Sequence, residues 1–134
     1  MLSLRYARRW QIAGVCLLAT VLGLALVPEE WLWGSGGLSS FFLSDKLVHG
    51  VTFVTLALWF SGQYAPPSYW RLVLGLAAFG LLIEVIQRMV SYRTADGMDF
   101  VADLVGIAIG MSIALAGVGG WCLRFEKWLE SRHG

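Results

Sequence analysis

The sequence has few charged residues. Only 14% of its 134 residues are Asp, Glu, Lys or Arg, whereas 57% are apolar, and its mean hydropathy is +0.68. A soluble domain carries about 25% charged residues, because water must solvate its surface. The shortage of charge therefore excludes an ordinary soluble domain and indicates a protein that exposes apolar side chains to lipid.

Cysteine and proline are also scarce. The two cysteines, Cys16 and Cys122, lie near opposite ends of the chain, and they lack the spacing of metal ligands, so we interpret them as small hydrophobic residues. The three prolines, Pro28, Pro66 and Pro67, all lie between apolar runs. The net charge of +1 gives no indication of a nucleic-acid partner.

The apolar residues form four runs, over about residues 10–27, 45–61, 69–90 and 99–118. A backbone that crosses lipid must satisfy its own hydrogen bonds, so each run predicts a transmembrane helix. A signal peptide also begins with basic residues, but its apolar core is shorter, and we interpret the first run as an uncleaved anchor. The sequence therefore predicts an all-α membrane protein with one domain over residues 1–134, a bundle of four transmembrane helices.

The basic residues predict the orientation of this bundle. Four crossings would place seven of the ten Lys and Arg residues on the side of the two termini, and only Lys46, Arg88 and Arg93 on the other side. The positive-inside rule then predicts that both termini are cytoplasmic. Six of the seven tryptophans, all but Trp128 in the tail, fall at or just beyond a predicted span end, where the headgroup region favours indole rings.

The tail, residues 121–134, has the pattern of an amphipathic helix. Its aromatic and aliphatic residues recur at helical spacing opposite basic ones. This pattern predicts a C-terminal interfacial helix on the inner leaflet, with a simple anchor for the last span as the alternative.

Polar side chains of the predicted spans are concentrated at the outer ends. Asp99 and Asp103 are four residues apart and share a helical face, as do Asp45 and His49. Charge inside a bilayer is costly, so several such groups imply mutual pairing or contact with water. We interpret them, with two residues of the adjoining loop, as one site that opens outward. Its members are Asp45, Lys46, His49, Glu84, Gln87, Arg93, Asp96, Asp99 and Asp103.

The alternative is that these are ordinary helix-end residues. Asp45, Asp96 and Asp99 have the positions of caps or first-turn acids, and Lys46 or Arg88 could extend to lipid headgroups. This alternative does not suit His49, Glu84 or Asp103, because they lie too far inside the spans to cap a helix.

Small residues recur every fourth position along the last span, at Ala102, Gly106, Gly110 and Ala114. Such a ridge lets a neighbouring helix approach closely, so it predicts close packing beneath the two aspartates. A homodimer through the same ridge is the alternative, and the sequence leaves the oligomeric state open.

The order of these motifs resembles the VanZ-like family of small bacterial membrane proteins. The resemblance covers about residues 45–110 and rests on DKLVHGVTFVTLAL, IEVIQ and RTADGMDFVADLVGIAIG. It implies a multi-pass protein of the bacterial inner membrane with a role at the cell envelope, since the founding member is associated with reduced susceptibility to the glycopeptide teicoplanin. Asp103 is a departure, because family members often have Asn there.

Three functions fit the predicted site. In the first, His49, Glu84, Asp99 and Asp103 perform acid–base catalysis on a lipid-linked or cell-wall substrate. In the second, the site binds a membrane lipid headgroup or a lipid-linked cell-wall precursor without catalysis. In the third, it only fixes helix packing. The residues expected to bind the substrate are Asp45, Lys46, Gln87, Arg93 and Asp96.

The motifs of several enzyme classes are absent. The sequence has no HExxH helix, no GxSxG elbow and no glycine-rich phosphate loop, which disfavours a classical protease, hydrolase or nucleotide enzyme. One histidine with oxygen donors would suit Mg, Mn or Zn, but no tight ligand motif supports a metal, so we assign neither a metal nor a cofactor.

Overall fold

The computed structural model describes residues 1–28, 45–90 and 97–134, with the backbone alone for Asp45. Within these ranges the chain is helical and contains no β-strand, which confirms the all-α prediction. A short 3₁₀ helix, Pro66–Ser68, precedes α3, and a π-helical turn, Ala114–Val118, follows α4. The α-helices are α1 (Ala7–Leu26), α2 (Asp45–Ser61), α3 (Tyr69–Met89), α4 (Gly97–Ile113) and α5 (Trp121–His133).

Three helical stretches are long and apolar enough to cross a membrane. They are Ala7–Leu26, Pro66–Met89 and Gly97–Val118, with 20, 24 and 22 residues. α2 is apolar but shorter, and its 17 residues span about 25 Å against a hydrocarbon core of about 30 Å. The helices and the predicted apolar runs differ at their ends, because a helix continues into polar residues that hydropathy excludes: α1 already includes Arg8 and Arg9.

Helix α4 packs closely against α2 through glycines. A Cβ at Gly106 would overlap the carbonyl oxygen of Gly50, and a Cβ at Gly110 would lie 2.5 Å from the Cβ of Ala57. Both contacts join two helices of the same chain and not two copies of the chain. Because the earlier residues of one helix meet the earlier residues of the other, α2 and α4 run in the same direction.

The apolar core lies where α2, α3 and α4 meet. Its buried members include Phe53, Leu56, Ile83, Ile107 and Met111. α1 packs against this group through partly buried residues, and its one fully buried position is Gly14. The core therefore holds α2, α3 and α4 firmly against one another, and it holds α1 less firmly. Polar side chains on the facing sides of these three helices are thereby kept at fixed relative positions.

At the end of the molecule where α2 finishes, Glu126 of α5 joins the tail to the start of α1. Its carboxylate accepts hydrogen bonds from the backbone N–H of Arg5 at 2.8 Å, from the backbone N–H of Tyr6 at 3.0 Å and from the indole N–H of Trp10 at 2.8 Å. Burial raises the pKa of Glu126, but the hydrogen bonds from Trp10, Tyr6 and Arg5 outweigh it, so the net pKa is below its ordinary value.

The buried face of α5 differs from the apolar face read from the sequence. Cys122 and Glu126 are buried, whereas Phe125 and Trp128 are about half exposed. The reason is that Glu126 satisfies backbone donors of another segment, which the periodicity of α5 does not encode. Burial, and then the nearby Glu126 carboxylate, raise the pKa of the Cys122 thiol to about 12, so this thiol remains protonated at neutral pH.

Candidate functional site

A histidine and two aspartates meet where α2 and α4 begin. His49 Nδ1 lies 2.8 Å from Asp103 Oδ1, and His49 Nε2 lies 3.9 Å from Asp99 Oδ2. Both carboxylates are buried, and the imidazole is 12% exposed. Asp99 and Asp103 are one helical turn apart on α4, so both face α2.

Lys46 is a further described member of this group. Its ammonium nitrogen lies 3.9 Å from Asp99 Oδ1, and the lysine side chain is about half exposed. Lys46 and His49 are three residues apart on α2, which places both on the face toward α4. We call Lys46, His49, Asp99 and Asp103 the His49 cluster.

Helix α3 approaches the His49 cluster through a glycine. A Cβ at Gly80 would lie 2.8 Å from Asp103 Oδ2 and 3.2 Å from the ring of Phe53. The missing side chain is therefore what allows the Asp103 carboxylate to fit between α2 and α3. The sequence pattern did not single out Gly80, because its role depends on which helix lies opposite.

Glu84 lies one turn beyond Gly80, on the same face of α3. It is buried, and its Oε1 accepts a hydrogen bond of 3.5 Å from the Arg88 guanidinium. Its Oε2 is also buried and has no hydrogen-bond partner among the described residues. An unsatisfied buried carboxylate oxygen is costly, so Glu84 is the polar group of α3 that most needs a further partner.

Gln87 has a contact that its assignment to substrate binding did not anticipate. Its side-chain N–H donates to the carbonyl oxygen of Ala25 at 3.0 Å. Ala25 lies in the last turn of α1, where backbone carbonyls have no partner within the helix. Gln87 therefore ties the end of α1 to α3.

The remaining predicted site residues fall in two groups. Arg93, Asp96 and the side chain of Asp45 lie outside the described residues. Of the small residues along the predicted last span, Gly106 and Gly110 contact α2, and the Ala102 carbonyl oxygen would lie 3.8 Å from a Cβ at Gly50. Ala114 is buried in the π-helical turn that follows α4.

The His49 cluster has the geometry for proton transfer. When Asp103 is ionised its carboxylate only accepts hydrogen bonds, and Nδ1 of His49 is then the donor in this contact. The lone pair of a neutral imidazole is then on Nε2, the atom that faces Asp99, and a histidine oriented in this way can act as a general base. In the parts of the chain that the structure describes, no three His, Cys, Asp or Glu side chains are arranged to hold a metal ion.

Comparisons with protein-family models, with curated proteins and with solved structures find no match to this chain. The site is therefore interpreted from its own residues. Three functional or structural contributors were missed by sequence reasoning: Gly50, Gly80 and Glu126. The sequence held no local signal for any of the three, because the role of each depends on the segment that packs opposite it.

Proposed function

We propose that this chain is a multi-pass protein of the bacterial inner membrane, of the VanZ-like family, that binds or chemically processes a lipid-linked or other cell-envelope substrate. Both termini are cytoplasmic, and the His49 cluster opens to the extracytoplasmic side. The observation that carries the proposal is the 2.8 Å contact between His49 Nδ1 and Asp103 Oδ1. Ionisable groups buried among apolar helices of this length mark functional sites by default.

The packing of α2 supports a fourth crossing. α2 lies alongside α4 and in the same direction, from Lys46 beside Asp99 at one end to Leu58, whose carbonyl accepts a hydrogen bond from the Trp121 indole, near the other. A helix that follows a membrane-spanning neighbour over this length shares its environment. Four crossings then place seven basic residues on the side of the termini, as the positive-inside rule requires.

In the catalytic form of the proposal, His49 is the general base. Asp103 positions the imidazole, and Asp99 stabilises the imidazolium that forms when Nε2 takes a proton. Lys46 is half exposed and supplies a positive charge for a phosphate or carboxylate of the substrate. Glu84, buried on α3 one turn beyond Gly80 and with one unsatisfied carboxylate oxygen, is the second acid–base group.

A noncatalytic form uses the same charges to hold a lipid headgroup. A third role, the fixing of helix packing, is favoured by one observation: Asp103 contacts His49 of α2 and fills the space left by Gly80 of α3. These alternatives predict different results for one substitution, because binding needs charge, packing needs shape, and catalysis needs the imidazole.

His49→Gln tests the proposal, with His133→Gln as the matched control, since the chain has two histidines and His133 is exposed in α5. Both variants and the wild type are produced at equal levels in a teicoplanin-susceptible bacterium, and teicoplanin susceptibility and lipid-linked precursors are measured. We expect wild type and His133→Gln to change both quantities and His49→Gln to change neither. Equal effects of wild type and His49→Gln would overturn the catalytic form, and a wild type that changes neither quantity would overturn the proposal as a whole.

Purified protein separates the three forms. A catalytic site predicts that His49→Gln retains its lipid substrate unmodified, as measured by mass spectrometry of the lipid extract. A binding site predicts that wild type and His49→Gln retain the same lipid and that neither modifies it. A packing role predicts a lower unfolding temperature for His49→Gln together with unchanged lipid content.

A further inference from the structure

A groove runs along the surface between α2 and α4 and begins at the His49 cluster. Its volume is about 400 Å³, within the range of small-molecule sites. Of the described residues that line it, Lys46 alone is charged, and Lys46 lies at the end where both helices begin. The apolar walls are formed by Leu47, Val51 and Val54 of α2 and by Val101, Val105 and Ile109 of α4.

Glycines make the groove. Gly50 and Gly106 line it at the point where the two backbones are in contact, so no side chain fills the space between the flanking valines. Val51 and Val105 are 57% and 52% exposed on either side. The result is a surface groove with apolar walls that lipid can contact.

The length of the groove matches one leaflet. On α4 it extends from Met98 to Ile109, twelve residues that rise about 16 Å from the first to the last. Half of the hydrocarbon core of a bilayer is about 15 Å thick. An acyl chain that enters beside Lys46 would therefore lie in the groove over the depth of its own leaflet.

We propose that this groove holds one acyl chain of an anionic membrane phospholipid, with the headgroup phosphate bound by Lys46. An ammonium has three N–H donors, so Lys46 binds the phosphate while it keeps its contact with Asp99. The bound headgroup then lies one helical turn from His49. The inference rests on the proposed function for the orientation of the chain in the membrane, and it adds the class of ligand and its path to the cluster.

Gly50→Leu is the substitution that closes the groove. A Cβ at Gly50 would lie 3.8 Å from its nearest neighbour, the Ala102 carbonyl oxygen, which is an ordinary van der Waals distance. Because Gly50 lines the groove, we expect the rest of the leucine side chain to occupy it. Gly75→Leu is the matched control, because a Cβ at Gly75 on α3 meets no atom within 4 Å. Ile109→Trp closes the far end, six residues beyond Asp103, and covers the case in which Gly50→Leu fails to fold.

The experiment is native mass spectrometry of protein released from bilayers that contain dipalmitoyl phosphatidylglycerol. We expect one phosphatidylglycerol per wild-type chain, the same for Gly75→Leu, and at least about tenfold less retention for Gly50→Leu and Ile109→Trp. Lys46→Gln should reduce retention about fivefold, as expected for one Lys near anionic lipid. Wild type should retain a neutral diacylglycerol of equal chain length less well.

Three outcomes would overturn the inference: undiminished phosphatidylglycerol on Gly50→Leu, an equal loss on Gly75→Leu, or a second copy of the chain in place of the lipid. The proposed function fails separately. If wild type changes neither teicoplanin susceptibility nor lipid-linked precursors in cells while Gly50→Leu still loses the lipid, the proposed function is wrong and the groove assignment holds. If His49→Gln is inactive while Gly50→Leu keeps the lipid, the groove assignment is wrong.

Discussion

Two buried carboxylates, Asp103 and Glu126, lie toward opposite ends of the molecule and have different partners. Asp103 meets the His49 side chain and the empty position of Gly80, so its partners can take part in chemistry. Glu126 accepts two backbone N–H groups and one indole N–H, and those donors keep their protons at every accessible pH. We therefore interpret Asp103 as part of a site. We interpret Glu126 as a structural residue whose hydrogen bonds hold α5 against the start of α1, and we call this set of contacts the Glu126 lock.

Glu126→Gln tests the lock. The amide keeps one oxygen acceptor but loses the charge and brings an N–H₂ group toward donors, so we expect a loss of about 1.5 to 3 kcal/mol in the free energy of unfolding. Glu130→Gln is the control, because Glu130 is about half exposed and pairs with the exposed Arg5 side chain, a contact worth about 0 to 1 kcal/mol. Thermal unfolding in one detergent gives both values, and equal stabilities for the two variants would contradict the assignment.

The pH dependence of the Glu126 effect follows from the lowered pKa of this carboxyl group. Its ordinary value is 4.5 and its folded value is lower, so the folded state binds fewer protons near pH 4.5 than the unfolded state does. The stabilisation is fully present above pH 4.5 and is lost as the pH falls through the folded pKa. The difference between wild type and Glu126→Gln should therefore be constant from pH 7 to about pH 5 and shrink below that.

At the scale of helices, the contact of α2 with α4 determines the site. Parallel helices joined by Gly50–Gly106 and Ala57–Gly110 contacts hold His49 at the level of Asp99 and Asp103. Wider separation of the backbones would break the 2.8 Å contact between His49 and Asp103, because the histidine side chain is too short to span a larger gap.

Gly106→Ala tests this contact. Its methyl group would overlap the backbone carbonyl of Gly50, which no change of rotamer can relieve, so the helices must separate at a cost of about 1 to 3 kcal/mol. Gly75→Ala is the control: its methyl group meets nothing within 4 Å, and alanine gains about 0.5 to 1 kcal/mol over glycine in a helix. If thermal unfolding shows Gly106→Ala to be as stable as Gly75→Ala, the close contact is absent.

The helices could be predicted from the sequence because hydropathy and run length are local properties. The shared face of Asp99 and Asp103 could also be predicted, since it depends on a spacing of four residues within one helix. The partners of these residues could not be predicted in the same way. That His49 meets Asp103, that Gln87 meets Ala25 and that Glu126 meets Arg5 depends on contacts between residues 54, 62 and 121 positions apart, and no local pattern records such pairings.

In the molecule as a whole, the His49 cluster and the contacts that hold the tail lie at opposite ends. The His49 cluster lies where α2 and α4 begin, and the Glu126 lock, with the rings of Trp10, Trp59 and Trp121 packed together, lies at the other end. The basic residues Arg5, Arg8 and Arg9 lie at the end that contains Glu126. The proposed orientation follows from this asymmetry, because positive residues remain in the cytoplasm.

The side of the membrane on which the His49 cluster opens can be measured by cysteine labelling. Lys46→Cys and Glu130→Cys are made separately in a chain with Cys16→Ser and Cys122→Ala, since positions 46 and 130 are about half exposed at opposite ends. A membrane-impermeant maleimide is applied to spheroplasts before and after permeabilisation. We expect the Lys46→Cys variant to react in intact spheroplasts and the Glu130→Cys variant only after permeabilisation, whereas reaction of Lys46→Cys only after permeabilisation would contradict an extracytoplasmic site.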